Sequence, residues 1–164
     1  MAHDLLKTLE LQIWEKVLPM STSEPVGEIT RAYDVEIRIL IIDDDNVNAM
    51  LAKSVLERNG CTVQIASNPL KALEKYARYK DSIDLVLLDY FMPSLDGGET
   101  VQHLRKLNPD IKVILFSSAE EMRLRQIMKQ YPINAYIHKP LRVQEAMQVI
   151  RQVLPAPSAQ VARP

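Results

Sequence analysis

Five reactive side chains in this 164-residue chain each stand where an apolar run stops. Asp43 and Asp44 follow Ile39-Leu40-Ile41-Ile42, and Asp89 follows Leu85-Val86-Leu87-Leu88. Ser117 follows Ile111 to Phe116, and Lys139 follows Ala135 to His138. Carboxylates converging on one mouth repel one another unless a cation sits among them, and Mg2+, a hard ion that takes oxygen ligands, is the natural neutraliser. Mg2+ uses one or two protein carboxylates and fills its octahedron with water and phosphoryl oxygens, so the chemistry indicated is phosphoryl transfer. A lysine opposite supplies a second positive charge to a phosphoryl oxygen, a serine hydroxyl donates to another, and an aspartate can accept the phosphoryl group covalently.

The elements that must position these groups follow from periodicity. Four apolar residues ahead of Asp89 read as a strand buried on both faces, and in an open parallel sheet the carboxyl ends of strands face the ligand crevice. The alternative use of Asp89, capping the next helix, is better served by Asp96 or Gly98, which stand closer to the helical run Glu99 to Leu107. Strands are expected at Ile37–Ile42, Thr62–Ala66, Leu85–Leu88, Ile111–Phe116 and Ala135–His138. Helices are expected from about Val47 to Asn59, with Met50, Leu51, Val55 and Leu56 inward; from Asn68-Pro69 through Leu70, Leu73 and Ala77; and at Glu99–Leu107, Glu120–Gln130 and Val143–Leu154. Strict alternation of strand and helix demands a doubly wound α/β fold with right-handed crossovers.

Outside this unit, residues 1–19 carry Leu5, Leu9, Ile13 and Val17 at helical spacing, with Pro19 as the stop, and residues 20–34 read as a linker. Trp14 and Leu18 widen the apolar stripe beyond one packing surface, so a homodimer through this helix is expected. The unit proper spans residues 35–154, and the tail at 155–164 is expected to be disordered.

Composition narrows the classes. With 25% charged residues and a net charge of -1, no overall field draws the chain to nucleic acid or an anionic membrane, and neither is expected as a partner. Arg123, Arg125 and Lys129 read as a solvated helix face. No apolar run approaches the ~20 residues of a membrane span, the N-terminus does not resemble a secretion signal, and the lone Cys61 reads as a small core residue, so a cytoplasmic protein is expected. His3 and His103 read as exposed. His138 should point away from its neighbour Lys139 by strand alternation.

At these spacings the residues resemble the receiver domain of two-component response regulators, over about Val35 to Leu154. Ile41-Ile42-Asp43-Asp44 is similar to that family's acidic pair, Leu87-Leu88-Asp89 to its phosphoacceptor strand, Met92-Pro93 and Asp96-Gly97 to its loop, and Lys139-Pro140 to its lysine–proline step. The resemblance implies a flavodoxin-like five-stranded sheet of order 2-1-3-4-5 and a stand-alone, chemotaxis-receiver-like signalling protein rather than an enzyme. It implies that Asp89 takes a phosphoryl group from a histidine kinase or phosphotransfer protein. It further implies that Asp44, Asp89 and the main-chain carbonyl of Phe91 bind Mg2+ directly, with Asp43 acting largely through water. Ser117 and Tyr136 become the switch that reshapes the surface of the fourth helix, fifth strand and fifth helix, and the Lys139–Pro140 bond is expected to be cis. Two features depart from the pattern: Phe91 and Ala119 are apolar where many receivers carry polar side chains, and Tyr131 to Ala135 lacks the usual glycines.

Two other functions compete. Asp43-Asp44-Asp45 after a strand also suits a haloacid-dehalogenase-like phosphatase, which needs a later acidic pair that this chain lacks: after Lys139 the acid is Glu145, within a helical run. A non-phosphorylated scaffold of receiver shape is the other, and the full set of reactive residues weighs against it.

Overall fold

Each strand of the sheet ends against a helix that leaves from the same edge. The computed structural model describes residues 36–92 and 97–154. In chain order these form β1 (Ile37–Ile42), α1 (Asn46–Glu57), β2 (Cys61–Ala66), α2 (Pro69–Tyr79), β3 (Leu85–Leu88), α3 (Gly97–Leu107), β4 (Lys112–Ser117), α4 (Glu121–Gln130), β5 (Ala135–His138) and α5 (Val143–Val153), with a 3-10 turn at Lys80–Ser82 before β3. The strands are parallel in the order β2-β1-β3-β4-β5, the doubly wound order expected. The expected N-terminal helix, linker and tail lie outside the described residues, as do Pro93 and Asp96.

Alternation along the strands divides the core into two layers. Leu40, Ile42, Val86, Leu88, Val113 and Leu115 face α2, α3 and α4, while Ile39, Ile41, Leu85, Leu87, Ile114 and Phe116 face α1 and α5. A sheet covered on both faces needs apolar residues at successive positions, which is why β3 is buried along its whole length.

The local stops and starts follow side-chain chemistry. Asp45 caps α1 by accepting the N–H groups of Val47 at 2.9 Å and Asn48 at 3.2 Å. Gly60, at φ 82°, turns the chain out of the α1 region in a conformation that other residues resist. Asn68 caps α2 through the Lys71 N–H at 2.9 Å, and Pro69 occupies the first helical position. β2 is an edge strand, and two lysines from helices on opposite faces cover its outward carbonyls: Lys53 Nζ donates to Val63 O at 2.9 Å and Lys75 Nζ to Ile65 O at 2.8 Å.

The inward face of α1 differs from expectation. Ala49 and Ala52 contact the sheet with Leu56, whereas Met50 and Leu51 are 67% and 57% exposed. On α2 the buried residues are Pro69, Ala72 and Tyr76; Leu70 is 70% exposed and Ala77 is also outward. Both helices hold two apolar stripes, and the stripe with alanines lets the helix axis approach the sheet. Tyr76 tolerates complete burial because Asn108 Nδ2 donates to its hydroxyl at 3.0 Å.

Candidate functional site

Asp43, Asp89 and Lys139 sit one step beyond their strands and remain tied to the sheet, and Ser117 is the last residue of β4. The Asp43 N–H donates to Ala66 O at 3.2 Å, the Asp89 N–H to Ile42 O at 2.8 Å, and the Lys139 N–H to Ser117 O at 3.0 Å. These bonds extend the ladder past the last regular pair and fix the directions in which the three side chains leave. Asp43, Asp89 and Ser117 are buried and Asp44 is exposed, so the cleft has a closed floor and an open rim.

Asp43, Asp44 and Asp89 each offer a carboxylate oxygen within 4.8 Å of the others. The Lys139 ammonium lies 2.7 Å from Asp43 Oδ2 and 2.7 Å from Asp89 Oδ2. Asp43 Oδ1 accepts the Asp45 N–H at 2.9 Å, and Asp89 Oδ1 accepts the Phe91 N–H at 3.1 Å. Burial pushes the Asp43 carboxyl above its ordinary value, with Lys139 acting against that rise. Burial also pulls on the Lys139 ammonium, yet its ion pairs with Asp43 and Asp89 prevail and its pKa is raised. Three carboxylates face one ammonium, so negative charge is in excess.

The donor set fits a hard divalent cation. Its oxygens are close enough to share an ion, and Asp43 Oδ2, although next to the ammonium, lies off the angle of a hydrogen bond and keeps a lone pair for a further ligand.

The remaining expected residues border this cleft or lead away from it. Ser117 Oγ accepts the Ala119 N–H at 3.3 Å, and Ala119 packs against the core. Tyr136 is half-buried on β5, and burial together with Glu121 of α4 raises its pKa. Arg125 donates to Glu121 through Nε at 2.8 Å, and the Arg125 guanidinium holds the Glu121 carboxyl below its usual range. His138 stands edge-on to Tyr136 with centroids 5.3 Å apart, on the side that alternation assigns it. The Lys139–Pro140 bond is cis.

Two contacts went unseen in the sequence. Arg123, read there as part of a solvated face, places its guanidinium carbon 4.4 Å from the Phe91 ring centroid, because the loop after β3 brings that ring under α4. Tyr131, in the segment without glycines, lies directly over Gly98, so a flat ring fills the space left by an absent side chain. Neither pairing leaves a periodic trace, since the partners are joined through space.

A family model described as the response regulator receiver domain matches residues 39–151. The chain belongs to this family. Response regulator MprA of Mycobacterium leprae is 32% identical over 117 residues, 71% of this chain and 50% of the relative. MprA of Mycobacterium ulcerans is 30% identical over 120 residues, 73% of this chain and 51% of the relative. The chain thus spans about half the length of the curated relatives it matches. Among solved structures, a receiver domain protein from Clostridium thermocellum is similar with a TM-score of 0.65 and 28% identity, over 71% of this chain and 93% of that one. Response regulator TrrA from Thermotoga maritima, solved in complex with Mg2+-BeF, gives a TM-score of 0.63 and 29% identity, over 72% of this chain and 99% of that one. The chemotaxis protein CheY4 of Vibrio cholerae, 20% identical with a TM-score of 0.67 over 73% of this chain and 100% of that one, shares the fold.

This is therefore a receiver domain of a two-component response regulator, a signalling module with a receiver's acidic cluster. The phosphatase alternative loses to that membership. Among the described residues no helix is long and apolar enough to cross a membrane.

Proposed function

We propose that this receiver accepts a phosphoryl group on Asp89 from a phosphohistidine of a histidine kinase or phosphotransfer protein. The observation that carries the reading is the meeting of Asp43, Asp44, Asp89 and Lys139 at one strand-end cleft. An Asp89 carboxylate oxygen attacks phosphorus, a P–O bond forms, the P–N bond to the imidazole breaks, and its electron pair stays with the departing nitrogen. Asp43 and Asp44 with Asp89 and the Phe91 carbonyl would hold Mg2+, which when bound supplies charge neutralisation to the phosphoryl oxygens. Lys139, already 2.7 Å from Asp89, follows the charge onto the phosphoryl group, and the Ser117 hydroxyl donates to another of its oxygens. Drawing Ser117 inward favours an inward Tyr136, which changes the face made by α4, β5 and α5 for a downstream protein.

Intact-mass measurement after incubation with acetyl phosphate and Mg2+ tests the reading. One added phosphoryl mass is expected, lost in Asp89→Asn. A chain that takes up no phosphoryl group under these conditions, yet still holds its fold, would instead be the scaffold of receiver shape.

A further inference from the structure

Phe91 is an aromatic side chain on the loop next to the phosphoacceptor, 41% exposed and with its main chain in the site. Its N–H donates to Asp89 Oδ1 at 3.1 Å, so the orientation of the Asp89 carboxylate depends on where residue 91 is held. A ring this exposed has little packing to fix it. Besides its neighbour Tyr90, a group of α4 faces it: the Arg123 guanidinium carbon lies 4.4 Å from its centroid, within the range in which a cation is attracted to a ring face.

The residue before it is held from the other end of the same helix. The Tyr90 ring stands edge-on to Phe91, with centroids 5.2 Å apart at 75°, and its centroid lies 6.3 Å from that of Tyr131. The Tyr131 N–H donates to Ile127 O at 2.9 Å, closing the last turn of α4. Both residues that follow Asp89 are therefore fastened to α4, one near its start and one at its end. This link does not pass through Ser117 or Tyr136.

We propose that Arg123 is a positioning residue for phosphorylation, holding Phe91 by a cation–π stack so that the Phe91 amide keeps the Asp89 carboxylate aimed into the cleft. The inference rests on Asp89 as phosphoacceptor and adds to that reading a role for a side chain outside the cleft. Coupling of this kind is reciprocal: a partner that draws Arg123 away loosens the Asp89 loop, and a change at Asp89 alters how α4 presents Arg123.

A competing effect has the opposite sign. If Arg123 acted only as a nearby positive charge, its removal would strengthen Mg2+ binding at the acidic cluster. If it acts through the stack, removal weakens Mg2+ binding, because residue 91 supplies a proposed main-chain ligand, and slows labelling of Asp89. The strength of an exposed cation–π pair corresponds to a change of about two- to fivefold.

The test is Mg2+ titration followed by amide NMR, with acetyl phosphate labelling, on the full chain. Arg123→Ala and Phe91→Leu should each weaken Mg2+ binding and slow labelling about two- to fivefold, and the double variant should be no worse than either alone. Arg123→Lys, which keeps a cation over the ring, should recover part of the loss, and Lys129→Ala, which removes a charge elsewhere on α4, should match the parent. Without any phosphodonor, the Asp89 and Phe91 amide resonances should shift in Arg123→Ala and stay in place in Lys129→Ala. Tighter Mg2+ binding in Arg123→Ala, additive losses in the double variant, or unmoved Asp89 and Phe91 amides would overturn the proposal. A parent chain that is never labelled on Asp89 overturns the phosphoacceptor reading instead, and the amide shifts still decide whether Arg123 holds the loop.

Discussion

The Lys139 ammonium stands 2.7 Å from Asp89 Oδ2 and reaches Asp43 Oδ2 at the same distance, so one side chain bridges the acidic pair across two strand ends. It occupies a position of electrostatic demand that a divalent ion would share. Removing it leaves two carboxylates uncompensated on the floor of the cleft. Lys139→Ala should therefore lose about 2–3 kcal/mol of stability in EDTA, below the full cost of breaking a deeply buried pair because the cleft opens to solvent. Mg2+ should return more stability to the variant than to the parent, since an ion that binds the native state stabilises in proportion to its affinity. Thermal melts of both proteins with EDTA and with Mg2+ check this; equal Mg2+ responses contradict it.

Gly97 and Gly98 are adjacent yet should respond differently to the same change. A Cβ at Gly97 would lie 2.8 Å from Tyr90 Cα and 3.0 Å from Tyr90 O, which is backbone beside Asp89. Gly97→Ala should cost about 1–3 kcal/mol and impair Asp89 labelling, because relief requires moving the loop. At Gly98 the obstacle is the outer end of the Tyr131 ring, which can swing aside. Gly98→Ala should cost less, and in a Tyr131→Ala background become neutral or stabilising by up to about 1 kcal/mol through helix propensity. Urea denaturation of the four variants measures this.

How far the sequence could be read depends on how each feature is encoded. Asp43, Asp89 and Lys139 were legible as a cluster because each follows an apolar run, and parallel topology sends such positions to one edge. β1 and β5 fall at the residues expected, Ile37–Ile42 and Ala135–His138, since a buried strand is written in consecutive positions. The inward face of α1 was misread because hydrophobicity ranks Met50 and Leu51 above Ala49 and Ala52, whereas close approach to a sheet selects small residues. Arg123 over Phe91 and Tyr131 over Gly98 were hidden for a different reason: they join residues about thirty apart in the chain, and no local pattern marks them.

Cys61 and Tyr76 are among the groups that give stability a dependence on alkaline pH. Burial pushes the Cys61 thiol above its ordinary value of 9.0 and the Tyr76 phenol above its ordinary value of 10.0. Once the pH passes the unfolded value, the unfolded chain has lost a proton that the folded one retains, so stability falls as pH rises. Below pH 9 neither group contributes a slope. Unfolding free energies from urea titration should decline from about pH 9, by up to about 1.4 kcal/mol per pH unit for each group. Cys61→Ala should remove the part of the decline that begins at pH 9.0 and leave the part that begins at 10.0. A Cys61→Ala profile that overlays the parent throughout refutes the assignment to Cys61.

The phosphoryl group, once on Asp89, should be lost slowly. Loss to water needs a water molecule in line with the P–O bond, and polar side chains next to the phosphoacceptor or the switch serine can position one. Here those places hold Phe91, whose ring lies under Arg123, and Ala119, whose methyl packs against the core, and neither can hydrogen-bond a water through its side chain. Full general-base assistance is worth about 10²–10⁴-fold, and positioning alone belongs at or below the lower end, so the phosphorylated form should outlast that of a receiver with polar residues at both places by about tenfold to a hundredfold. Phe91→Asn with Ala119→Glu should shorten its lifetime by that factor when decay is followed by intact mass. Because Phe91→Asn also removes the Arg123 stack, Phe91→Leu with the native Ala119 is the necessary comparison. It loses the stack without gaining an amide, so rapid decay in both variants would assign the effect to a loosened loop, and rapid decay confined to the polar pair assigns it to the water.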